Sequence, residues 1–420
     1  MITRKELEIL GNEEAKKLVQ EYLLKYKDDS EILALVDHDN IKKAVLKASL
    51  GKRSKPYVYN VIGFNYDDLE SEENKLELTI CHIQLMILTN SFVPKDHKPM
   101  IVRDRSSNKE REIIKPDFED EQIIHHIIIQ HLYPKLVQGM YKYSCASVPK
   151  RGIHYVRNYV WKIIKKDHIN TKYVLKIDIR KFFESIPIPL LKDKIRNIEK
   201  NKYIRELIYT VLDSSDKGLP LGYYTSQWFA NFYLQNLDHY IKERILVDIY
   251  GMDKCRKLGR YGAIYYIRYM DDIVIFGPNK KELHKMKDQL DIILEERFSL
   301  QIKGDWQVFR FSYYDKNGKM KGRALDFVGF KFYYDKIKIR RRIYRKIIQR
   351  ISTMQRQKIS EISFHEACSF LSYYGFIKYS DAKRLYTDFL RPYVTLKDLK
   401  KIISKHYKLA LADKKRICST

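Results

Sequence analysis

Two apolar stretches separated by a pair of residues constrain this chain more than any other feature. Ala263 to Tyr269 and Asp272 to Phe276 are rich in apolar, β-branched and aromatic residues, which predicts two paired strands turning at Met270-Asp271. Their flanks, Tyr265-Tyr266-Ile267 and Ile273-Val274-Ile275, call for burial, so the turn lifts Asp271 and Asp272 to the edge of a core. A further strand, Tyr173 to Ile179, brings Asp178 to its end after Val174-Leu175-Lys176-Ile177. Either motif alone has an ordinary explanation, turn chemistry for Asp-Asp and a helix N-cap for a strand-terminal aspartate. Together they place carboxylates at strand ends that can meet in space, which is what hard divalent cations require.

The rest of the chain frames these strands. At 420 residues with 45% hydrophobic content, it can form two or three packed subdomains with real cores. The first hundred residues read as mainly helical, with apolar residues at three- and four-residue spacing in Glu13 to Lys27 and Asn74 to Leu88. Pro99 to Pro116 reads as a hairpin around Ser106-Ser107-Asn108, with basic residues on its arms. Helices are expected from Glu119 to Leu136, Tyr155 to Lys166, Thr225 to Ile245 and Lys280 to Phe298, and a basic helical tail from Lys336 onward. Strands interleaved with helices predict an α+β fold.

A formal charge of +27, from 80 Lys and Arg against 53 Asp and Glu, points to a polyanionic partner. Many of the 33 tyrosines adjoin basic residues, as in Lys142-Tyr143, Arg268-Tyr269 and Tyr344-Arg345. Such pairs can stack on bases and hold phosphates, although most of the rings suit half-buried packing. Cys81, Cys145, Cys255, Cys368 and Cys418 are far apart and suggest neither a zinc knuckle nor a disulfide framework. They read as reduced cysteines of a cytoplasmic protein, and neither an export signal nor a membrane anchor is visible.

Several stretches resemble one family in that family's order. Tyr269-Met270-Asp271-Asp272 looks like the Y-x-D-D box of reverse transcriptases, and Asp178-Ile179-Arg180-Lys181-Phe182-Phe183-Glu184-Ser185-Ile186 resembles the D-I-x-x-F-F-x-S-I box of bacterial members. Gly218 to Gln227 with Ala230-Asn231-Phe232-Tyr233-Leu234 is similar to the glycine turn and helix between those boxes. Phe327-Val328-Gly329-Phe330 looks like the family's primer-gripping turn, Ile123-Ile124-His125-His126 resembles its V-x-H-H segment, and Tyr143 to His154 matches a further stretch loosely. The resemblance spans about Arg111 to Tyr374. Leu221-Gly222 and Ser226-Gln227 depart from the Gln-Gly and Ser-Pro of many relatives, and resemble diversity-generating and defence-associated bacterial groups.

The resemblance implies a right-hand polymerase: a helical extension over 1–95, fingers over 96–170, a palm with part of the fingers inserted over 171–334, and a basic helical thumb over 335–420. Asp178, Asp271 and Asp272 would be the catalytic, metal-holding residues, with two Mg2+ ions or Mn2+ in their place. Lys109, Arg111, Phe183, Leu221, Gly222 and Gln227 would meet the nucleotide, Phe183 by excluding a ribose hydroxyl. Tyr269, Met270, Gly329, Arg340, Arg341 and Arg342 would contact primer and template; Lys303 stands about where the family keeps a lysine that protonates pyrophosphate, but reads more simply as an exposed lysine. His125 and His126 read as structural, one facing the core. The implied activity is RNA-directed DNA synthesis on an RNA template from a DNA or RNA primer and deoxynucleoside triphosphates. Further expected partners are a dedicated non-coding RNA, in anti-phage defence, and an accessory protein or a second copy. The alternatives are a diversity-generating retroelement enzyme, an RNA-dependent RNA polymerase, and a catalytically idle RNA-binding module.

Overall fold

The computed structural model describes residues 3–52, 55–63, 73–103 and 110–417. Lys109, Arg105, the expected turn at Ser106-Ser107-Asn108 and Cys418 lie outside the described residues. The chain divides into two compact units. One comprises Met1–Tyr141, Ile179–Asp238 and Ile292–Ile302; the other comprises Lys142–Asp178, His239–Asp291 and Lys303–Thr420.

The first unit begins with short helices, Arg4–Leu10, Asn12–Leu24, Ser30–Leu35, His38–Ser49, Pro56–Ile62 and Glu73–Leu88. Thr3, Asp29 and Asp37 each accept a backbone N–H at the start of the helix that follows them, a contact worth about 1 kcal/mol. Leu7, Val19, Ile41, Val45, Ile80 and Ile83 bury their apolar faces. Strands β1 (Met100–Arg103) and β2 (Glu110–Ile113) then form the expected antiparallel hairpin.

Two helices of this unit differ from expectation. The segment from Glu119 opens as a π-helical turn, Phe118–Gln122, before the helix Ile123–Val137. Its acids are held individually: Asp117 accepts from the Glu119 and Asp120 amides, Glu119 pairs with Arg4, and buried Glu121 accepts from the Lys95 amide at 3.0 Å and pairs with His97. The expected helix Thr225 to Ile245 is interrupted at Leu234 and again after Glu243. At the first break the Gln235 amide donates to the Gln138 carbonyl at 2.6 Å and the Tyr233 hydroxyl to the Phe298 carbonyl at 2.7 Å. These long-range bonds replace continuity of the helical ladder.

The second unit is built on a five-stranded sheet: β3 (Ser144–Cys145), β4 (Tyr173–Asp178), β5 (Tyr265–Tyr269), β6 (Asp272–Gly277) and β7 (Gln307–Arg310), in spatial order β3-β5-β6-β4-β7. All neighbours run antiparallel except β3 and β5. Val156, Val160, Ile163 and Ile164 of the helix Ile153–Lys166 pack on Val174, Ile267, Val274 and Phe276. In β6 every residue after Asp272 is buried, which explains why this strand reads as continuously apolar instead of alternating.

Beyond the hairpin β8 (Tyr313–Tyr314) and β9 (Met320–Lys321), the strands β10 (Leu325–Phe327), β11 (Phe330–Phe332) and β12 (Ile337–Ile339) form a three-stranded sheet. β12 corrects the expectation of helix from Lys336. Ile337 and Ile339 are buried while Lys338 between them is exposed, an alternation of period two that belongs to a strand. The basic helix starts at Arg341, as Arg341–Gln355, and is followed by Phe364–Lys378 and Leu396–Ile417 around Ile347, Ile351, Phe370 and Leu399. Among the described residues no helix is long and apolar enough to cross a membrane.

Candidate active site

Strand register brings the acids together. In the β4–β6 ladder Asp178 stands opposite Asp272, the pair that follows Ile177 and Ile273. In the β5–β6 ladder Tyr269 is opposite Asp272, which leaves Met270 and Asp271 as the turn. Met270 has φ +55°, a left-handed conformation that a side chain adopts at a cost of roughly 1–3 kcal/mol. Its side chain is buried, whereas Asp178, Asp271 and Asp272 are each half-buried.

Asp272 keeps 36% of its side-chain surface accessible, yet the protein around it raises its carboxyl above the usual range. Burial is the main cause, Lys176 at 3.8 Å opposes it, and the like charge of Asp178 adds to it. Asp178 in turn faces Lys303, whose Nζ lies 3.4 Å from Oδ2 and also contacts Asp305. The Lys303 backbone N–H donates to the Asp178 carbonyl at 2.8 Å. Lys303 is therefore not the ordinary exposed lysine expected from the sequence. Its ammonium is stabilised first by Asp305 and then by Asp178.

Among the described residues no three His, Cys, Asp or Glu side chains converge as a ready-made metal cage. The chemistry of the donors nevertheless suits a hard cation. Two carboxylates sit side by side, one of them desolvated and repelled by the other, and a divalent ion is what would relieve both penalties.

The remaining expected residues of this unit lie in the turn between β10 and β11 and at the start of the helix after β12. Gly329 has φ +86°, and a Cβ there would lie 2.6 Å from Phe376 Cε1. Arg340 is not part of a free cationic face: it pairs with Asp326 at 2.6 Å and sits at the N-cap position of the helix that follows, without a side-chain capping bond. Arg341 is exposed and Arg342 half-exposed. Lys176 donates to the Asp326 carbonyl at 3.1 Å.

The first unit gathers most of the residues expected to meet a nucleotide. Phe183 is half-buried and meets buried Phe182 edge-on at 5.5 Å, so one of the two rings is core and the other is not. The Leu219 amide donates to the Phe183 carbonyl at 2.8 Å. The Ile114 amide donates to the Leu221 carbonyl at 2.8 Å, which ties the end of the β1–β2 hairpin to Leu221-Gly222. Arg111 and Gln227 are exposed. His125 is buried and His126 stacks on Tyr224 at 3.9 Å, as the structural reading of both expects.

Sequence reasoning passed over Lys176, Asp326 and Arg268. The last was grouped with basic residues beside tyrosines that could hold phosphate, but it is completely buried. Its place inside an apolar strand was the signal available.

Residues 105–305 match the family described as reverse transcriptase (RNA-dependent DNA polymerase). Over 123 residues, 27% of this chain and 35% of the relative, the chain is 32% identical to the retron Ec73 reverse transcriptase of Escherichia coli. Over 254 residues, 53% of this chain and 66% of the relative, it is 20% identical to Protein YkfC of Escherichia coli strain K12. The chain thus spans about a third of the length of the first of these relatives and just under two thirds of the second. Among solved structures, telomerase from Candida albicans in complex with a telomeric RNA fragment aligns at TM-score 0.44 and 13% identity, covering 76% of this chain and 57% of that one. Telomerase from Candida tropicalis with such a fragment aligns at TM-score 0.42 and 11% identity, covering 88% and 69%.

Proposed function

We propose that this chain, whose residues 105–305 match the reverse transcriptase family, is an RNA-directed DNA polymerase. It adds deoxynucleotides to a DNA or RNA primer on an RNA template. The observation that carries the reading is the β4–β6 register that sets Asp178 opposite Asp272, beside the turn bearing Asp271.

Asp178, Asp271 and Asp272 would hold divalent cations, two Mg2+ ions for which Mn2+ can substitute, and when bound these would supply activation of an attacking oxygen and charge neutralisation for a leaving one. Lys303 holds a positive charge beside Asp178. Arg111 and Lys109 meet the triphosphate, Leu221, Gly222 and Gln227 border the nucleotide, and the Phe183 ring excludes a ribose 2′ hydroxyl. Tyr269, Met270 and Gly329 support the primer end, and Arg341 and Arg342 follow the duplex backbone. In this reading residues 1–95 are an extension, 96–170 fingers, 171–334 palm and 335–420 thumb. The likeness to a retron reverse transcriptase favours work with a dedicated non-coding RNA, in anti-phage defence.

Primer extension on an RNA template with deoxy- and ribonucleotides offered separately tests the activity. Deoxynucleotides are incorporated, Asp271→Ala lowers the rate about 10³-fold, the equivalent of several kcal/mol of lost charge stabilisation, and RNA binding persists. Phe183→Ala admits ribonucleotides. Equal use of both nucleotide types by the native protein, or an active Asp271→Ala, refutes the assignment. Sequencing the nucleic acid that co-purifies with the chain identifies the RNA.

A further inference from the structure

Arg268 is among the largest fully buried side chains described, with no exposed surface. A guanidinium keeps its charge at any ordinary pH, so its burial is tolerated only where its donors are used. Nη1 donates to the Met270 carbonyl at 3.1 Å and Nη2 to the Ser144 hydroxyl at 2.6 Å. One planar fork therefore spans from the turn after β5 to the neighbouring strand β3.

Both backbone groups of Met270 are clamped. Its N–H donates to the Cys145 carbonyl at 3.3 Å, and its carbonyl is the one that Arg268 holds. The β3–β5 ladder fixes this arrangement by setting Ser144 opposite Arg268 and Cys145 opposite Tyr269. Left-handed backbone is natural to glycine or asparagine in a tight turn and unfavourable to methionine. The shape of this turn is thus imposed by its surroundings, and Asp271 and Asp272 follow it directly.

We propose that Arg268 is a positioning residue: by holding the Met270 carbonyl against β3, it fixes the turn that presents Asp271 and Asp272 to a divalent cation. The inference rests on reading those aspartates as cation ligands. A lysine offers a single nitrogen in place of the planar fork whose two nitrogens each hold one of these acceptors.

The test uses the full chain without nucleotide and Mn2+ alone as the probe, with free Mn2+ followed by electron paramagnetic resonance. Native protein and Asp271→Ala define the binding that belongs to the aspartates. Arg268→Lys and the milder Ser144→Ala, which removes the fork's second anchor, are compared with them after thermal melting has shown that each folds. Arg268→Lys weakens Mn2+ binding about 10-fold or more, the usual effect of losing a residue that orients metal ligands, and Ser144→Ala weakens it less. In primer extension the Mn2+ midpoint rises in parallel while the nucleotide KM stays put. A purely structural role would lower the melting temperature without moving that midpoint.

Native affinity for Mn2+ in folded Arg268→Lys and Ser144→Ala overturns the proposal. If Arg268→Lys does not fold, Ser144→Ala decides it. Native protein that binds Mn2+ through Asp271 but incorporates no nucleotide defeats the polymerase reading and leaves the positioning role standing. Unchanged Mn2+ binding by Asp271→Ala defeats the positioning role as well.

Discussion

Gly222 passes so close to Ile114 that a Cβ on the glycine would fall 2.0 Å from the Ile114 carbonyl oxygen, and its φ of +113° is one that side chains rarely adopt. The hairpin end and the turn before the helix Tyr224–Tyr233 therefore meet backbone to backbone, with Ile113 Cγ2 also 3.0 Å from that Cβ. Gly222→Ala is expected to destabilise the protein by about 1–3 kcal/mol from backbone strain alone, with the clash adding to it. Urea unfolding measures this, and an unchanged midpoint with an unchanged slope would show that the two segments are not held together. The deoxynucleotide KM should rise in the same variant.

The histidines of the helix Ile123–Val137 give the fold an acid-side weakness. Burial, then the nearby Lys52 and Lys47, push His126 down to about 4, and burial takes His125 down to about 3. Unfolded, each titrates near the ordinary histidine value of 6.5. Between that value and the folded one the unfolded chain binds more protons, so stability present above pH 6.5 is lost as pH falls through the window. His126→Phe keeps a ring against Tyr224 and removes one titrating group. Its melting temperature should fall less steeply than that of the native protein between about pH 6.5 and 4; parallel curves would reject the assignment.

The three arginines at 340 to 342 should behave differently from one another. Replacing Arg341 and Arg342 with Gln is expected to reduce the slope of log affinity for an RNA–DNA duplex against log salt by roughly 0.7–0.9 per lost phosphate contact. Arg340→Gln breaks the pair with Asp326, so its effect should appear in thermal stability as well as binding. Filter binding over a salt series, with melting curves alongside, separates the two; identical behaviour of all three positions would contradict the geometry.

The hairpin bearing Asp271 and Asp272 was readable from the sequence because two apolar, β-branched and aromatic runs meet at a pair of aspartates, a contrast that needs no tertiary knowledge. Asp178 was readable for the same reason. The strand Ile337–Ile339 was missed because its lysines made the segment look like one continuous basic face, although the Lys-Ile alternation was there to see. The π-helical turn at Phe118–Gln122 and the break at Leu234 depend on partners such as Arg4, Lys95, Gln138 and Phe298, far away in the chain. No local pattern announces such bonds. Lys303 illustrates the same limit at the site: its neighbour Asp178 is 125 positions away.

Arg340 stands between the last strand of the small sheet and the basic helix, at the helix's N-cap position. Its backbone N–H bonds to the Gly329 carbonyl at 2.9 Å while its side chain grips Asp326 at 2.6 Å. The helix is thereby buckled to the sheet just before its first residue, by a main-chain link and a side-chain link that would have to slip together. A displacement of the start of the helix would therefore reach β10 through Asp326 and the turn before β11 through Gly329.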